Sequence, residues 1–234
     1  MSVVIDIAAM GGDLESFSKA AKKFISNPLR LTELKTQLSI SAATASKRED
    51  RSLRWTTDLG QGPLLSISSR HYRNKEGATP RELKAELAFN FVGILDEADH
   101  NRFIVKSGGT CIRLFWTDSE EGTSYHYDIH PNAAGHPMLH IQFDGKIKDV
   151  PRLHSFFAHP LDILEFILME IFQEEWRKVR TGTTFRGQIR KYPEHQQKRF
   201  LSLLASYKDW VTAPAPTLIS LLNSPHAPLE LYPV

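Results

Sequence analysis

Residues 83–91 read Leu-Lys-Ala-Glu-Leu-Ala-Phe-Asn-Phe, with large apolar side chains at every second position. Because successive side chains of a β-strand point to opposite faces, this pattern predicts a strand that buries only one face. The stretch opens the longest of seven strand-like runs, which we place at residues 53–59, 64–73, 83–94, 102–107, 110–117, 123–130 and 138–143. The middle of the chain is therefore predicted to be a β-sheet.

The segments that separate these runs are short and contain glycine, proline or aspartate. Parallel neighbours would need long crossover connections, so short glycine-containing turns favour an antiparallel meander. The run count predicts a sheet of about six or seven strands. Gly108 and Gly109 lie between two runs, and we interpret them as a hairpin turn.

Helical spacing of apolar residues appears before and after the sheet. It predicts helices at residues 13–25, 31–38, 161–177 and 193–210. The polar segment 39–51 is interpreted as a flexible connection. The helix at 161–177 has a wide apolar stripe and is expected to cover one face of the sheet.

These elements predict an α+β fold, an antiparallel sheet with flanking N-terminal and C-terminal helices. We expect a single domain over residues 1–234. It comprises a helical N-terminal region at 1–50, the sheet and its packing helix at 51–180, and a basic helical region with a Pro-rich tail at 181–234.

Composition limits the setting of the protein. The 234 residues are 41% hydrophobic, and acids interrupt the longest apolar stretch, around 161–172, so we expect no membrane segment. The N-terminus lacks the pattern of a secretory signal. The single cysteine, Cys111, excludes an intramolecular disulfide and fits a reducing compartment, so we expect a cytoplasmic protein in which Cys111 is a packing residue.

The segment 125–140 holds four of the ten histidines and an aspartate. Alternation places His126, Asp128 and His130 on one face of a strand. If the following strand pairs in the register that keeps apolar residues together, His140 joins the same face. The sequence therefore predicts a titratable patch on a β-hairpin.

Three uses of this patch remain open from the residues alone. The first is metal-free acid–base catalysis with His126 and His140 as base and acid and Asp128 as the orienting carboxylate, as RNA cleavage requires. The second is a divalent metal, the only cofactor that we consider, with His126, Asp128 and His140 as ligands. The third is a structural or partner-contact role. His130 belongs to the catalytic candidates, although it flanks the proline turn.

The residues Tyr125-His126-Tyr127-Asp128, the proline-containing turn and His136-Pro137-Met138-Leu139-His140-Ile141 resemble the hairpin of TumE-type toxins from bacterial toxin–antitoxin pairs and of related uncharacterised bacterial proteins. The similar region covers about residues 123–145. This resemblance implies that Asp128 and His140 belong to a functional hairpin. It also implies a toxin or phage-defence setting with an antitoxin-like protein partner.

A basic segment follows the sheet. Residues 177–199 contain eight lysines and arginines against one acid, Glu194, which could neutralise phosphates or form a solvated helix face. We expect phosphate contacts from Arg186, Arg190 and Lys191, and from Arg113 if its side chain reaches the hairpin patch.

The leading hypothesis is thus a toxin-like or phage-defence protein that acts on nucleic acid, with RNA favoured, through the histidine–aspartate hairpin. If it is an enzyme, we expect a nuclease or phosphodiesterase. One alternative is a non-enzymatic subunit of a larger defence or toxin–antitoxin assembly, which would dock through the aromatics Trp176, Tyr192 and Trp210. The other is a metal-dependent phosphohydrolase.

Overall fold

A computed structural model describes residues 3–60, 62–69, 81–119, 121–130, 139–143, 152–189, 191–212, 214, 217 and 229–233. Within these ranges the chain forms nine strands and five helices. In chain order they are β1 Val3–Asp6, α1 Ile7–Ala20, α2 Leu29–Ala45, β2 Ser52–Thr56, β3 Leu64–Leu65, β4 Leu83–Leu95, β5 Arg102–Trp116, β6 Gly122–Ile129, β7 Leu139–Phe143, β8 Arg152–His154, α3 Pro160–Thr181, α4 Thr183–Gln188, α5 Tyr192–Val211 and β9 Leu229–Glu230.

All nine strands join one sheet, whose main path runs β2-β4-β5-β6-β7-β8. Every pairing along this path is antiparallel. β3 adds to β4, and β1 pairs antiparallel with β5. The single parallel pairing joins β1 to the C-terminal β9. The predicted α+β class with an antiparallel sheet is therefore confirmed, and the sheet is larger than the six or seven strands expected.

The predicted hairpin turn at Gly108 and Gly109 is wrong, because both residues lie inside the long strand β5. Gly108 has a φ of +143°, a conformation that favours glycine. A β-carbon there would lie 2.1 Å from the Asn90 carbonyl oxygen on β4. The two glycines thus let β5 continue where its neighbours approach closely.

The neighbour of β5 changes close to these glycines. Residues 102–105 of β5 pair with β1, whereas residues 108–115 pair with β6. On its other side β5 pairs with β4, with a register shift between Val92 and Gly93. The end of β6 therefore lies at a fork in the sheet, which determines the position of the candidate site.

One face of the sheet is covered by helices. Along β4 the residues Leu83, Leu87 and Phe89 are buried, and the intervening positions are more exposed, as the alternation predicts. The indole of Trp55 on β2 donates to the Leu34 carbonyl of α2, and the Ser69 hydroxyl donates to the Ile171 carbonyl of α3. The helices bury this inner face, and the outer face carries the polar alternates.

The helices of the structure match the expectations in kind but differ in length. α3 and α5 confirm the two C-terminal helices. The segment 39–51, expected to be a flexible connection, is helical as far as Ala45, because its alanines favour the helix and Leu38, Ala42 and Ala45 pack into the core. Of the Pro-rich tail, Leu229 and Glu230 form β9, and most of residues 213–228 lie outside the described ranges.

No described helix combines the length and the apolar character that crossing a membrane requires.

Candidate functional site

The hairpin of β6 and β7 aligns the predicted residues in the expected register. Asp128 lies opposite His140, and His126 lies opposite Gln142. Because directly opposed residues of an antiparallel pair share a face, the patch predicted from the sequence is present on the outer face of the sheet.

Three of the four predicted site residues converge. The His140 Nε2 atom lies 3.6 Å from the Asp128 Oδ2 atom. The rings of His130 and His140 stack with their centroids 5.5 Å apart. One ligand atom from each of Asp128, His130 and His140 lies within 4.8 Å of the other two. We call these three residues the hairpin cluster.

His126 does not belong to the hairpin cluster. It lies opposite Cys111 of β5, and its Nε2 atom is 3.9 Å from the Cys111 Sγ atom. The group of converging ligand atoms thus contains His130 and not His126, and the ligand set of His126, Asp128 and His140 stays a prediction. The reason is that His130 follows the last residue of β6 and is free of the strand's alternation, so its ring reaches His140.

The hairpin cluster borders an open cavity of about 450 Å³, and both Asp128 and His130 line it. Asp128 retains about a quarter of its side-chain exposure, whereas His140 is only 1% exposed. A β-carbon at Gly109 would lie 2.3 Å from the Asp128 Oδ1 atom. Gly109 is therefore the residue whose missing side chain makes room for this carboxylate.

Two arginines lie on the same outer face. Arg54 of β2 donates to the Asn90 side chain at 2.9 Å and to Asp58 at 3.1 Å, and both partners line the cavity. Arg113 is exposed and lies four residues beyond Gly109 on β5, which is about 13 Å along a strand. Arg54, which sequence reasoning missed, therefore bonds to two residues that line the cavity, and the predicted Arg113 lies two residues from Cys111, which lines it as well.

The predicted phosphate-binding residues of the basic segment lie elsewhere. Arg186 belongs to α4, which contacts α1 and α3 in the helical layer, and the exposed Lys191 precedes α5. Arg190 lies outside the described residues. Since the helices cover the inner face and the hairpin cluster lies on the outer face, the structure does not join the basic segment to that cluster. Phosphate binding by the basic segment stays a prediction.

Acids also neutralise much of that segment. Arg177 pairs with Glu174 at 2.7 Å, and Arg180 pairs with Glu165 at 2.6 Å. Arg199, which contributed to the expected positive charge, is 4% exposed and pairs with Asp162. The solvated-face alternative and internal ion pairs therefore account for part of the basic run.

The docking surface of aromatic side chains that we expected for a non-enzymatic subunit is wrong for two of its three residues, because they are buried. Trp176 is 1% exposed and Tyr192 is fully buried, and both pack on Phe17 of α1. The side chain of Trp210 lies outside the described residues. Trp176 and Tyr192 belong to the core because they close the contact between α1 and the C-terminal helices.

A second titratable cluster, which sequence reasoning missed, lies inside the helical layer. Asp162 of α3 accepts two hydrogen bonds from Arg199 of α5, at 2.6 and 2.7 Å, and one from the Tyr192 hydroxyl at 3.0 Å. We call this cluster the helix network, and its members are Asp13, His159, Asp162, Tyr192, His195, Arg199 and Tyr232.

A chain of hydrogen bonds extends the helix network to the C-terminal segment. The Nδ1 atom of His159 accepts from the Leu161 amide at 3.2 Å, so its Nε2–H donates to the Tyr232 hydroxyl at 2.7 Å. That hydroxyl in turn donates to Asp13 at 3.1 Å. Asp13 also lies 3.0 Å from His195.

Burial dominates the titration of these groups. It holds the pKa of His159 well below its ordinary value, and the charges of Arg199 and His195 lower that pKa further. Burial also raises the pKa of Asp13, although His195 and Arg199 oppose this effect. Burial alone would lower the pKa of Arg199, but the carboxylate of Asp162 more than offsets this and raises it. The groups of the network bond mainly to one another, although the buried Arg199 Nη1 atom has no hydrogen-bond partner among the described residues and lies 3.8 Å from Asp13. Almost no space accompanies them, since the cavity beside Asp162 and Arg199 measures about 10 Å³.

The hairpin cluster, in contrast, has the composition of a metal site. Two imidazoles and one carboxylate bind zinc, iron or manganese, and three protein ligands leave a position for water. Ligands in a tetrahedral zinc site lie about 3.4 Å apart, given metal–ligand distances of about 2.0–2.2 Å. The separation of 3.6 Å between Asp128 and His140 fits. The ligand atoms of His130 lie within 4.8 Å of the other two, so closing to that spacing needs an inward movement of at most about 1.4 Å.

Comparison of the chain with models of known families, with curated proteins and with solved structures finds no match.

Proposed function

We propose that the protein is a metal-dependent hydrolase of phosphate esters, with Asp128, His130 and His140 as the metal ligands. The observation that carries the proposal is the convergence of one carboxylate and two imidazoles, whose ligand atoms lie within 4.8 Å of one another. A divalent metal held by three protein ligands lowers the pKa of a bound water and so supplies a hydroxide at neutral pH.

The protein would contribute position and access. Strands β6 and β7 hold Asp128 and His140 by direct backbone pairing, which keeps two of the three ligands in a fixed geometry. Gly109 leaves space at the carboxylate, and the cavity of about 450 Å³ gives the substrate a path to it. Water would add to phosphorus, and the alcohol group of the ester would leave with a proton.

Phosphate is the favoured substrate group because of the cations beside the cavity. The Arg54 guanidinium binds two residues of the lining, and it is 54% exposed. Arginine together with a divalent metal is a common arrangement for binding a transferring phosphoryl group. Arg113, about 13 Å further along β5, could contact a more distant phosphate of a polymer. A polynucleotide, with RNA as the first candidate, is therefore the substrate to test.

The same residues support a second candidate, metal-free acid–base cleavage of RNA. The 3.6 Å contact between Asp128 and His140 would orient an imidazole and favour its protonated form. However, His140 is 1% exposed, and a general acid or base must reach the proton that it transfers. This burial suits a metal ligand better than a group that contacts substrate. A toxin or defence setting and an antitoxin-like partner stay proposals with either chemistry.

The test is hydrolysis of bis-p-nitrophenyl phosphate and of total RNA by metal-free protein, with zinc, manganese or no metal added. We expect product only with metal, and loss of at least about 100-fold in rate in Asp128→Asn and His130→Gln. Val92→Ala, on the exposed outer face of β4, is the matched control and should retain the rate.

Three results would separate the candidates. Equal cleavage by chelated and metal-loaded protein, with loss in His140→Gln, would support acid–base chemistry in place of the metal. If Asp128→Asn retained the hydrolysis rate of the wild type, the hairpin cluster would not be the site of the reaction. No hydrolysis of either substrate with any metal would contradict the proposed activity.

A further inference from the structure

A second, larger cavity lies on the opposite side of the sheet from the hairpin cluster. It measures about 720 Å³ and is enclosed by the inner face of β5, β6 and β7, by the segment 155–157 and by α3. The cavity is open to solvent, since its lining includes the exposed residues Phe143 and Phe156. It falls within the range of about 300–1,000 Å³ that is usual for small-molecule sites.

The lining of this cavity is mainly apolar and rich in aromatic rings. It includes Trp116, Tyr125, Tyr127, Phe157 and Phe166. The rings of Phe157 and Phe166 lie 5.4 Å apart, and those of Tyr125 and Phe143 lie 5.3 Å apart. Water gains little from such a surface because it needs several polar partners. The surface suits an apolar or aromatic molecule.

Two buried residues with polar groups line the cavity, Ser155 and Tyr127, and the Ser155 hydroxyl already bonds to the Phe157 backbone. Tyr127 is 6% exposed, and burial raises the pKa of its hydroxyl to about 12, so the hydroxyl stays protonated at neutral pH. Among the described residues its hydroxyl has no hydrogen-bond partner. The hydroxyl is not among the fully buried polar atoms without a partner, so it still reaches the cavity that Tyr127 lines. The Tyr127 hydroxyl is therefore available to donate to a polar atom of a bound molecule.

The charge at the rim of the cavity indicates the kind of molecule. Glu170 is exposed and lines the cavity without an ion pair to a described residue. Glu121 lines it as well, with Arg81 at 3.9 Å. A carboxylate or sulfonate group would be repelled by these acids, whereas a neutral or cationic group would not be.

We propose that this cavity binds a small molecule with an apolar or aromatic body, one hydrogen-bond acceptor for Tyr127 and no negative charge. The site is separate from the hairpin cluster, which the sheet places on its other face. The proposal does not depend on the proposed hydrolase activity, and both can be tested on the same full-length protein.

The first experiment is a fluorescence titration with prodan, a neutral naphthalene ketone, and with anilinonaphthalene sulfonate, an anionic naphthalene of similar size. We expect saturable binding of one prodan per chain and at least about tenfold weaker binding of the sulfonate, a difference of about 1.4 kcal/mol. Binding of the ligand to the folded protein should also raise the melting temperature with prodan concentration.

Two variants test the position of the site. Tyr127→Phe should weaken prodan binding by about two- to tenfold, the effect of one lost hydrogen bond. Ile141→Trp places a larger side chain in the lining and should weaken binding at least tenfold. Val92→Trp adds the same side chain to the exposed outer face and should leave binding unchanged.

Several results would overturn the proposal. The first is absence of saturable prodan binding to wild-type protein, and the second is tighter binding of the sulfonate than of prodan. Equal affinity of the wild type and of Tyr127→Phe for prodan would show that the Tyr127 hydroxyl does not bond to the bound molecule. If Ile141→Trp does not fold, two measurements still test the site. They are the prodan affinity of Tyr127→Phe and the rise of the wild-type melting temperature with prodan concentration.

Discussion

The hairpin cluster and the helix network are both dense groups of titratable side chains, but they differ in access and in partners. In the helix network Asp162 accepts three short hydrogen bonds, and the adjoining space is about 10 Å³. In the hairpin cluster the Asp128 and His140 side chains lie 3.6 Å apart, and the adjoining cavity is about 450 Å³. A group that is packed on all sides is closed to a ligand, whereas a group that lines open space can still bind one.

This contrast assigns a structural role to the helix network and a binding role to the hairpin cluster. The network connects α1, α3, α5 and the C-terminal segment, which are far apart in sequence. The hairpin cluster lies on β6 and β7, which are adjacent strands, and at the end of β6. Substitutions in the two clusters should therefore differ in whether they change stability or ligand affinity.

The largest expected effect is on stability, in the variant Asp162→Asn. Loss of this carboxylate leaves the buried Arg199 without its main counter-charge, and breaking a buried ion pair costs about 3–5 kcal/mol. The measurement is the free energy of unfolding from urea denaturation. Glu174→Gln removes the exposed partner of Arg177 on the same helix and should not change the denaturation midpoint. Similar midpoints for the two variants would contradict the structural role of the network.

A smaller effect, on metal affinity, is expected for Gly109→Ala. The added β-carbon would lie 2.3 Å from the Asp128 Oδ1 atom and 2.9 Å from the Tyr127 carbonyl oxygen, so the carboxylate and the adjoining strand must shift from the geometry that brings Asp128 to the two histidines. We expect zinc affinity to fall by about 10- to 100-fold, the range seen when support of a ligand is lost. Gly12→Ala, where no atom lies within 4 Å of the new β-carbon, is the control and should retain the affinity. Unchanged zinc affinity in Gly109→Ala would show that Asp128 is not a ligand.

The third prediction concerns the pH dependence of stability. Because the pKa of His159 is held well below 6.5 by burial, the folded protein binds fewer protons at this site than the unfolded chain does. The stabilisation is fully present above pH 6.5 and is lost as the pH falls toward the lowered pKa. The contribution of this one site has a slope of up to about 1.4 kcal/mol per pH unit.

His159→Asn tests this slope, since asparagine is a favoured residue at the start of a helix and does not titrate. Unfolding free energies of both proteins between pH 7.5 and 5.5, about the ordinary histidine pKa, provide the comparison. The variant should lose less stability on acidification than the wild type. Parallel curves would contradict a neutral, buried His159.

The smallest effect is expected for His126→Gln. His126 faces Cys111 and lies outside the group whose ligand atoms lie within 4.8 Å of one another. Zinc affinity of this variant should remain within about threefold of the wild type, which is less than 1 kcal/mol. A loss as large as that of His130→Gln would return His126 to the ligand set predicted from the sequence.

Sequence patterns predicted the elements whose signal is local. Alternation located β4, β6 and β7, and it placed Asp128 and His140 on one face, which the register confirms. It did not separate His130 from His126, because His130 lies beyond the strand end, where the period of two no longer applies. The turn predicted at Gly108 was wrong, because a glycine with positive φ occurs both in turns and in strands where a neighbouring backbone approaches closely.

The helix network could not be predicted because its contacts are long-range. Tyr232 and Asp13 are 219 residues apart, and Arg199 and Asp162 are 37 residues apart. No local period relates such residues. The same is true of the short strands β1 and β9, which pair only after the two ends of the chain have met.

The central claim, that the hairpin cluster binds a divalent metal, is tested most directly by calorimetric titration of metal-free protein with zinc. We predict one zinc bound per chain and a loss of affinity of more than about 100-fold in Asp128→Asn. Asp58→Asn, an acid that lines the same cavity, should retain the affinity. Absence of zinc binding, or equal affinity in wild type and Asp128→Asn, would contradict the claim.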